Sequence, residues 1–436
     1  VGYKTIKKSD LTGAVGSLGA EALTERNMTN ALEAVQGNIA GVQISNSTGR
    51  LGDGFDITIR GNNSLSENSN PLYVVDGVPV DNIDFLNPQD IARIDILKDA
   101  SSTAIYGSRG SNGVVIVTTK SGAGAKPGLN ISLDSYYGVK QVARLPQMMD
   151  GDTWWRYHKS AYIATSGVDD PMDLTPEVLE SKYAGSSNDL LVERANRSEA
   201  FDWYDLVLQN GNQHNTYLNF SGNAAGGIGY NLGLGVQNET GNIQNESLDK
   251  YTLKVGIHHK VGDRFTYGLN TTLALTNDQL GSELAMREAF RLNPFLSPYG
   301  IDGETLEPQP GKLRDENGDF IINKTSTYNP LLEIANSTDE IRRLNGIGNA
   351  FIQYNPLEWL SVKSTFAPGF STRRRGRAWG AQTNRGVSNN NLPSADLENI
   401  QNINYTWDNQ FDVDRTFGDS KISLLGLQSI YYTQTE

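Results

Sequence analysis

Residues 228–237 alternate without a break: Ile228, Tyr230, Leu232, Leu234 and Val236 fall on one face of an extended chain, Gly229, Asn231, Gly233, Gly235 and Gln237 on the other. Successive side chains of a strand point to opposite faces, so this period of two specifies a strand with one apolar face. The pattern returns twice. Phe265, Tyr267, Leu269, Leu273 and Leu275 oppose Thr266, Gly268, Asn270, Thr272 and Ala274, and Ile403, Tyr405, Trp407, Phe411 and Val413 oppose Asn404, Thr406, Asp408, Gln410 and Asp412. Each run is about ten residues, roughly twice the usual soluble strand and the length of a tilted strand crossing a bilayer. A water-soluble β-sandwich also alternates. The connections favour a barrel: short turns such as Val261-Gly262-Asp263 exchange with long polar excursions such as residues 277–344, and short turns at one end with long loops at the other is membrane-barrel topology.

Composition is compatible with that reading. The net charge is −13, from 37 basic and 50 acidic residues, which argues against nucleic acid, whose affinity rests on phosphate neutralisation by Lys and Arg. No apolar run reaches the roughly 18 residues of a membrane helix. A mean hydropathy of −0.44 suits a soluble chain, yet barrels give similar averages because lumen-facing polar residues alternate with lipid-facing ones. The absence of cysteine excludes disulfides and thiolate metal sites.

Residues 71–122 read differently. In LYVVDGVPV, Asp76-Gly77 supplies the positive φ angles of a tight hairpin. Asn87-Pro88 starts a short helix, with Asn as N-cap and Pro at the first position. A strand follows in IDILK, then a helical turn from Asp99 to Tyr106 closed by Gly107. Gly110 and Gly113 lead into VVIVTTK, a continuous apolar strand of the kind buried on both faces. Upstream, Glu21 to Ala40 carries Leu32, Val35 and Ile39 at helical spacing, and DITIR, Asp56 to Arg60, reads as a strand. Together these predict a compact α+β unit of roughly 120 residues.

Several segments occur in an order that carries a resemblance: VGYKTIKKSDLTGAV at the start, then ITIRGNNSL, PLYVVDGVPV, ILKDASSTAIYGSRGSNGVVIVTTKSG, RLNPFLSPYG and YNPLLEIAN. The chain resembles SusC/RagA-type TonB-dependent outer-membrane transporters of Bacteroidetes along essentially its whole length. The resemblance implies an α+β plug domain, residues 1–124 with the remnant of a TonB-box region, followed at 125–436 by antiparallel transmembrane β-barrel strands with long extracellular loops. It implies a cell outer membrane location, a SusD-like surface lipoprotein and the TonB-ExbB-ExbD motor as partners, membrane lipid around the wall, and no enzymatic activity. The family's TonB box runs into a VGYG-like sequence, so Val1, Gly2 and Tyr3 are the expected TonB contacts, with Lys4 where glycine is usual; the alternative is that they simply begin the first plug strand. With no initiator Met and no signal segment, Val1 is expected to begin a processed or partly visible chain. Plug arginines of the family lock onto acidic wall residues, a role that falls here to Arg60 and Arg109, ordinary surface arginines being the alternative.

Nine strands are predicted, near 129–140, 214–223, 227–238, 250–260, 264–276, 344–355, 359–371, 401–414 and 420–432. Nine strands spaced about 4.8 Å and tilted about 40° close a cylinder of only about 9 Å radius. A plug of roughly 120 residues has a solid radius of about 17 Å. About 22 strands would enclose it, so the expectation is a partial 22-stranded-type barrel.

No catalytic constellation is found, and no cofactor is expected. His158, His214, His258 and His259 form no zinc spacing, His258 and His259 falling on opposite faces of one strand. Glycines 226, 227, 229, 233 and 235 superficially resemble a phosphate loop but are read as small lumen-facing residues inside a strand. Asp315, Asn317 and Asp319 space like the first ligands of a calcium loop, yet Phe320 occupies its glycine position. Arg373, Arg374, Arg375 and Arg377 beside Trp379 are read as a solvated loop or interfacial anchor in preference to an anion grip.

The function expected is TonB-dependent import of bulky nutrients, with the plug gated by an energised periplasmic partner. A polar plug loop carrying Asn62, Asn63, Ser64, Ser66, Asn68 and Asn70 is expected to face the cargo, its amides and hydroxyls suiting a glycan or peptide. The alternative is a structural subunit of a larger outer-membrane assembly without cargo of its own.

Overall fold

The computed structural model describes residues 15–24, 30–46, 49–52, 54–61, 70–125, 127–166, 200–224, 226–300, 302–310, 327–417 and 420–436. The first part is built on a five-stranded sheet and a hairpin. The strands are β1 (Val15–Gly19), β2 (Val42–Ser45), β3 (Asp56–Ile59), β4 (Leu72–Val75), β5 (Val78–Val80), β6 (Ile91–Leu97) and β7 (Val114–Thr119). The sheet order is β1-β6-β7-β4-β5, with β4 and β7 parallel, and β2 pairs β3 alone.

Local chemistry sets these elements. Asp76 and Gly77 both hold positive φ, 47° and 89°, the requirement of a two-residue hairpin turn whose twist matches the strands. Asn87 caps the short 3-10 helix Pro88–Asp90 by accepting from Gln89 N, and Asp99 caps Ala100–Thr103 by accepting from Ser102 N. The turn continues past Gly107, whose φ of 60° and ψ of −145° kink it, as far as Gly110. Val114, Val115 and Val117 are fully buried on β7, as a strand covered on both faces requires.

Two expectations are corrected here. The segment Glu21 to Ala40 is not one helix: Ala20–Thr24 and Ala31–Val35 are separate short helices. The second ends because Gln36 leaves the helical region and Gly37 takes φ 76°, so Ile39 reaches the core from a turn. DITIR loses its last residue as a strand, since Arg60 adopts φ 57° while its amide bonds Gly41 O.

The second part is one antiparallel sheet of nine strands in strict sequence order: β8 (Gly128–Lys140), β9 (Gly211–Ala224), β10 (Ile228–Thr240), β11 (Glu246–Val261), β12 (Phe265–Leu280), β13 (Ser337–Leu357), β14 (Leu360–Trp379), β15 (Ser394–Phe417) and β16 (Ser420–Thr435). The nine predicted strands are present, several of them longer. The wall's two faces differ as the alternation requires: Leu234, Val236, Leu269 and Leu275 are exposed on the outer face, whereas Asn231, Gln237, Thr272 and Thr276 are buried against the first part. Gly226 and Gly227 are not strand residues but form the β9–β10 turn, with φ near 87° and 81°.

The excursion predicted over 277–344 is shorter, because β12 runs to Leu280 and β13 begins at Ser337. Between them Ala285–Arg291 and Pro330–Asn336 pack with Trp203–Val207 into a second apolar cluster around Trp203, Phe295, Leu296 and Ile334. Glu288 is fully buried within it. Its carboxylate accepts from Arg287 Nη2 at 2.9 Å and from Tyr328 N at 2.9 Å, which ties the two ends of the excursion together.

Candidate functional site

The first part sits against the inner face of the wall. Ala274, Ile347 and Ala367 of the wall join its apolar core, and the rest of the contact is largely polar. Gly122 and Gly229 touch backbone to backbone, and a Cβ on either would overlap the other's carbonyl. The lumen-facing glycines of β10 therefore serve close approach, Gly233 beside Asp90 and Tyr217, Gly235 beside Asn87.

A buried polar seam fixes the contact. Lys254 on β11 is fully buried; its Nζ lies 3.4 Å from Asp76 Oδ2 and also donates to the Thr119 hydroxyl. Asp76, at the hairpin tip, accepts from Thr119 N at 2.9 Å, and its carbonyl accepts from Asn349 Nδ2 at 2.5 Å. Tyr217 on β9 donates its phenol to Asp90 Oδ1 at 2.5 Å. Lys250 Nζ donates to Asp84 O at 3.1 Å. Burial pushes the Asp90 carboxyl up to about 6, against the opposing pull of the Tyr217 hydrogen bond and of Lys254, Lys120 and Lys250. Burial likewise lowers Lys120.

On the side of the long connections, a cavity of about 600 Å³ opens between the first part and the wall. Arg50, Asp84, Lys140, Glu239, Glu246 and Arg343 line it. Three ion pairs lie along it: Lys140 pairs Glu239, Arg343 pairs Asp278, and Arg50 Nε lies 3.7 Å from Glu246, while Asp84 accepts from Asn30 Nδ2 at 2.6 Å. Arg50 and Gly52, the latter against Asp278, bring a loop of the first part to the wall.

The sequence-named residues fall unevenly. Arg109 is exposed and its guanidinium stands 4.2 Å over the Tyr431 ring of β16, a cation–π contact. Arg60 is exposed and makes no ion pair among the described residues. Asn70 is exposed. Val1, Gly2, Tyr3, Asn62, Asn63, Ser64, Ser66 and Asn68 lie outside the described residues, as do Asp315, Asn317 and Asp319. His258 and His259 do take opposite faces of β11, and no group that could hold a metal ion occurs among the described residues.

The arginine cluster is corrected. It lies within β14 as a ladder, not in a loop: Arg375 holds Asp339 through Nε at 2.8 Å and Nη2 at 2.6 Å, Arg377 Nε meets Asp396 at 2.8 Å, and Arg373 Nη1 meets Glu398 at 2.5 Å. The acids that neutralise Arg373, Arg375 and Arg377 stand on neighbouring strands. Lys254, Asp76, Asp90 and Tyr217 were missed because their partners lie far off in sequence. Only the hairpin position of Asp76 and the lysine on the polar face of an amphipathic strand offered a hint.

The family model described as TonB-dependent Receptor Plug Domain matches residues 7–114. The chain is 30% identical over 448 residues to TonB-dependent receptor P26 of Formosa agariphila, covering all of this chain and 41% of that protein. It is 28% identical over 375 residues to TonB-dependent receptor SusC of Bacteroides thetaiotaomicron, covering 81% of this chain and 34% of SusC. The chain thus spans less than half the length of these curated relatives. Its fold is similar to that of a RagAB peptide importer in the open-open state, with a TM-score of 0.77 at 20% identity over 100% of this chain and 49% of that one. The siderophore receptor PirA of Acinetobacter baumannii is more distantly similar, with a TM-score of 0.52 at 13% identity over 97% of this chain and 48% of that one. A plug seated on a sequential antiparallel wall, with these relatives, assigns the chain to the SusC/RagA type of TonB-dependent transporters, of which it carries the plug and part of the barrel.

Proposed function

We propose that this chain is the plug, residues 1–124, and a wall segment, residues 125–436, of an importer in the bacterial outer membrane that carries bulky nutrients, with an energised periplasmic partner of the TonB-ExbB-ExbD kind displacing the plug. The observation that carries the reading is the seam. A plug held by Lys254–Asp76, Tyr217–Asp90 and Lys250–Asp84 exchanges polar contacts for water when it moves, whereas a continuous apolar contact would expose its whole area at about 25 cal/mol per Å².

The cargo proposed is an oligosaccharide or a peptide, a reading supported by the likeness to the RagAB peptide importer and to SusC. It would occupy the cavity on the long-loop side, where amides and paired charges supply hydrogen bonds. A SusD-like surface lipoprotein is the partner proposed on that side, and no catalytic step is assigned to the chain. Val1, Gly2 and Tyr3 are proposed to belong to the segment the motor grips, Arg60 and Arg109 to steady the plug, and the loop carrying Asn62, Asn63, Ser64, Ser66, Asn68 and Asn70 to meet cargo. Deletion of residues 1–3 tests the mechanism: uptake falls to background while heat-modifiable barrel migration is retained. Unchanged uptake contradicts it. Co-purification with a stoichiometric surface lipoprotein supports import, and a constant retinue of biogenesis or secretion proteins supports the assembly-subunit reading.

A further inference from the structure

The outer face of the wall carries a feature that neither plug nor cavity uses. Moving outward along the strands, Leu275, Leu344, Phe370 and Ile403 are exposed on the outer face, and on β15 Leu397 lies farther out still. One step beyond Leu275 and Leu344 on that face, and two beyond Phe370 and Ile403 past Thr372 and Gln401, four adjacent strands place Asn277, Arg342, Arg374 and Asn399 side by side in register. Arg342 and Arg374 stand directly opposite each other across β13 and β14. Like charges in that position repel, and natural sheets tolerate them where something offsets the repulsion. Glu340 answers one of them, with Arg342 Nε 2.6 Å from its Oε1. Arg374 is exposed and has no ion pair among the described residues. The next acid in the row, Asp249, is two strands from Arg342 and accepts from Asn238 Nδ2 at 2.6 Å.

We propose that Arg342 and Arg374 seat the phosphate of a lipid headgroup in the outer leaflet, with Asn277 and Asn399 as flanking donors. The inference rests on the membrane reading above. The opposed guanidiniums present forked N–H donors to one shared anion, the geometry in which arginine binds phosphate best. The source is a lipid and not free phosphate because the seat is continuous with those exposed apolar side chains: a headgroup there leaves its acyl chains along Leu344, Phe370 and Ile403. This outward pair stands where an anionic surface meets the barrel, as juxtamembrane basic residues do.

The test uses the protein extracted intact in mild detergent, and native mass spectrometry while it is titrated with monophosphoryl lipid A, with the dephosphorylated lipid, or with inorganic phosphate. The expected result is retention of the phosphorylated lipid about tenfold above its dephosphorylated counterpart, the ratio one charge-assisted hydrogen bond supplies. R374Q reduces that preference and R342Q/R374Q abolishes it, while R264Q, which removes an exposed cation at the β11–β12 turn, leaves it intact. Equal retention of the two lipids by the wild type, or an unchanged preference in the double variant, overturns the proposal. Displacement by inorganic phosphate at the lipid's own concentration overturns the lipid as the occupant. Failure of the wild type to enter phosphatidylcholine vesicles of any composition overturns the membrane reading, and this inference with it.

Discussion

Lys254, fully buried on the wall, holds Asp76, at the tip of a plug hairpin, with Nζ 3.4 Å from Oδ2. At this contact the polarity is the reverse of the expected lock, in which plug arginines find wall carboxylates, a polarity that Arg50 and Glu246 keep. Here the wall supplies the cation and the plug the acid. Truncating one partner of a buried pair strands the other, at a cost of about 3–5 kcal/mol. Lys254→Met is therefore expected to raise hydrogen exchange at the amides of Asp76 and Thr119 by orders of magnitude. Asp76→Asn on top of it is expected to cost little more, and additive effects in that double-mutant cycle would contradict the coupling.

Asp90 makes seating sensitive to pH. Its carboxyl titrates near 6 in the folded protein, above its unfolded value, so the native state keeps a proton that the unfolded chain releases. The stability it contributes is fully present below the unfolded pKa and is lost as pH rises through about 6. Urea midpoints of the wild type are expected to fall between roughly pH 4 and 6 relative to Asp90→Asn, which lacks this titration. Parallel curves for the two proteins would contradict the assignment. Tyr217→Phe, which removes the phenol from Asp90 Oδ1, is expected to cost about 1–3 kcal/mol at pH 8, where the carboxylate is charged, and less at pH 5.

The backbone contact of Gly122 and Gly229 leaves no room for a methyl group. Gly229→Ala is expected to destabilise plug seating by about 1–3 kcal/mol, since neither backbone can move without shifting a strand or the plug's exit. Gly138→Ala on β8 is the control, because nothing lies within 4 Å of its added Cβ. Equal unfolding midpoints for the two alanine variants would show that the contact carries no constraint.

The wall was legible because alternation is a local property. Leu234 and Val236 lie on the exposed face and Gln237 on the buried one, as their order along β10 dictates. The Asp76-Gly77 hairpin and the Asn87-Pro88 start were legible as well, being turn and cap chemistry within a few residues. Ile39 was misassigned to a helix because its spacing to Leu32 and Val35 is helical and nothing in periodicity registers that Gly37 stops the helix first. The seam was invisible, since Asp76 and Lys254 are separated by 178 residues. Their meeting depends on how far β11 carries its polar face past the plug. The arginine ladder failed likewise: Asp339, Asp396 and Glu398 become its partners only through the registers of β13, β14 and β15.

On the proposed mechanism, cargo passes only when the plug leaves the wall. The chain has no cysteine, so a single engineered disulfide is unambiguous. A Cβ built on Gly369 of β14 lies 2.9 Å from Val78 Cγ1 of β5, close enough for Val78→Cys and Gly369→Cys to reach the roughly 3.5–4.5 Å Cβ spacing of a disulfide. Uptake of nutrient by cells carrying the double variant is the measurement. Background uptake is expected when the pair is oxidised, with recovery when a reductant opens it; full uptake through the oxidised protein would rule the mechanism out.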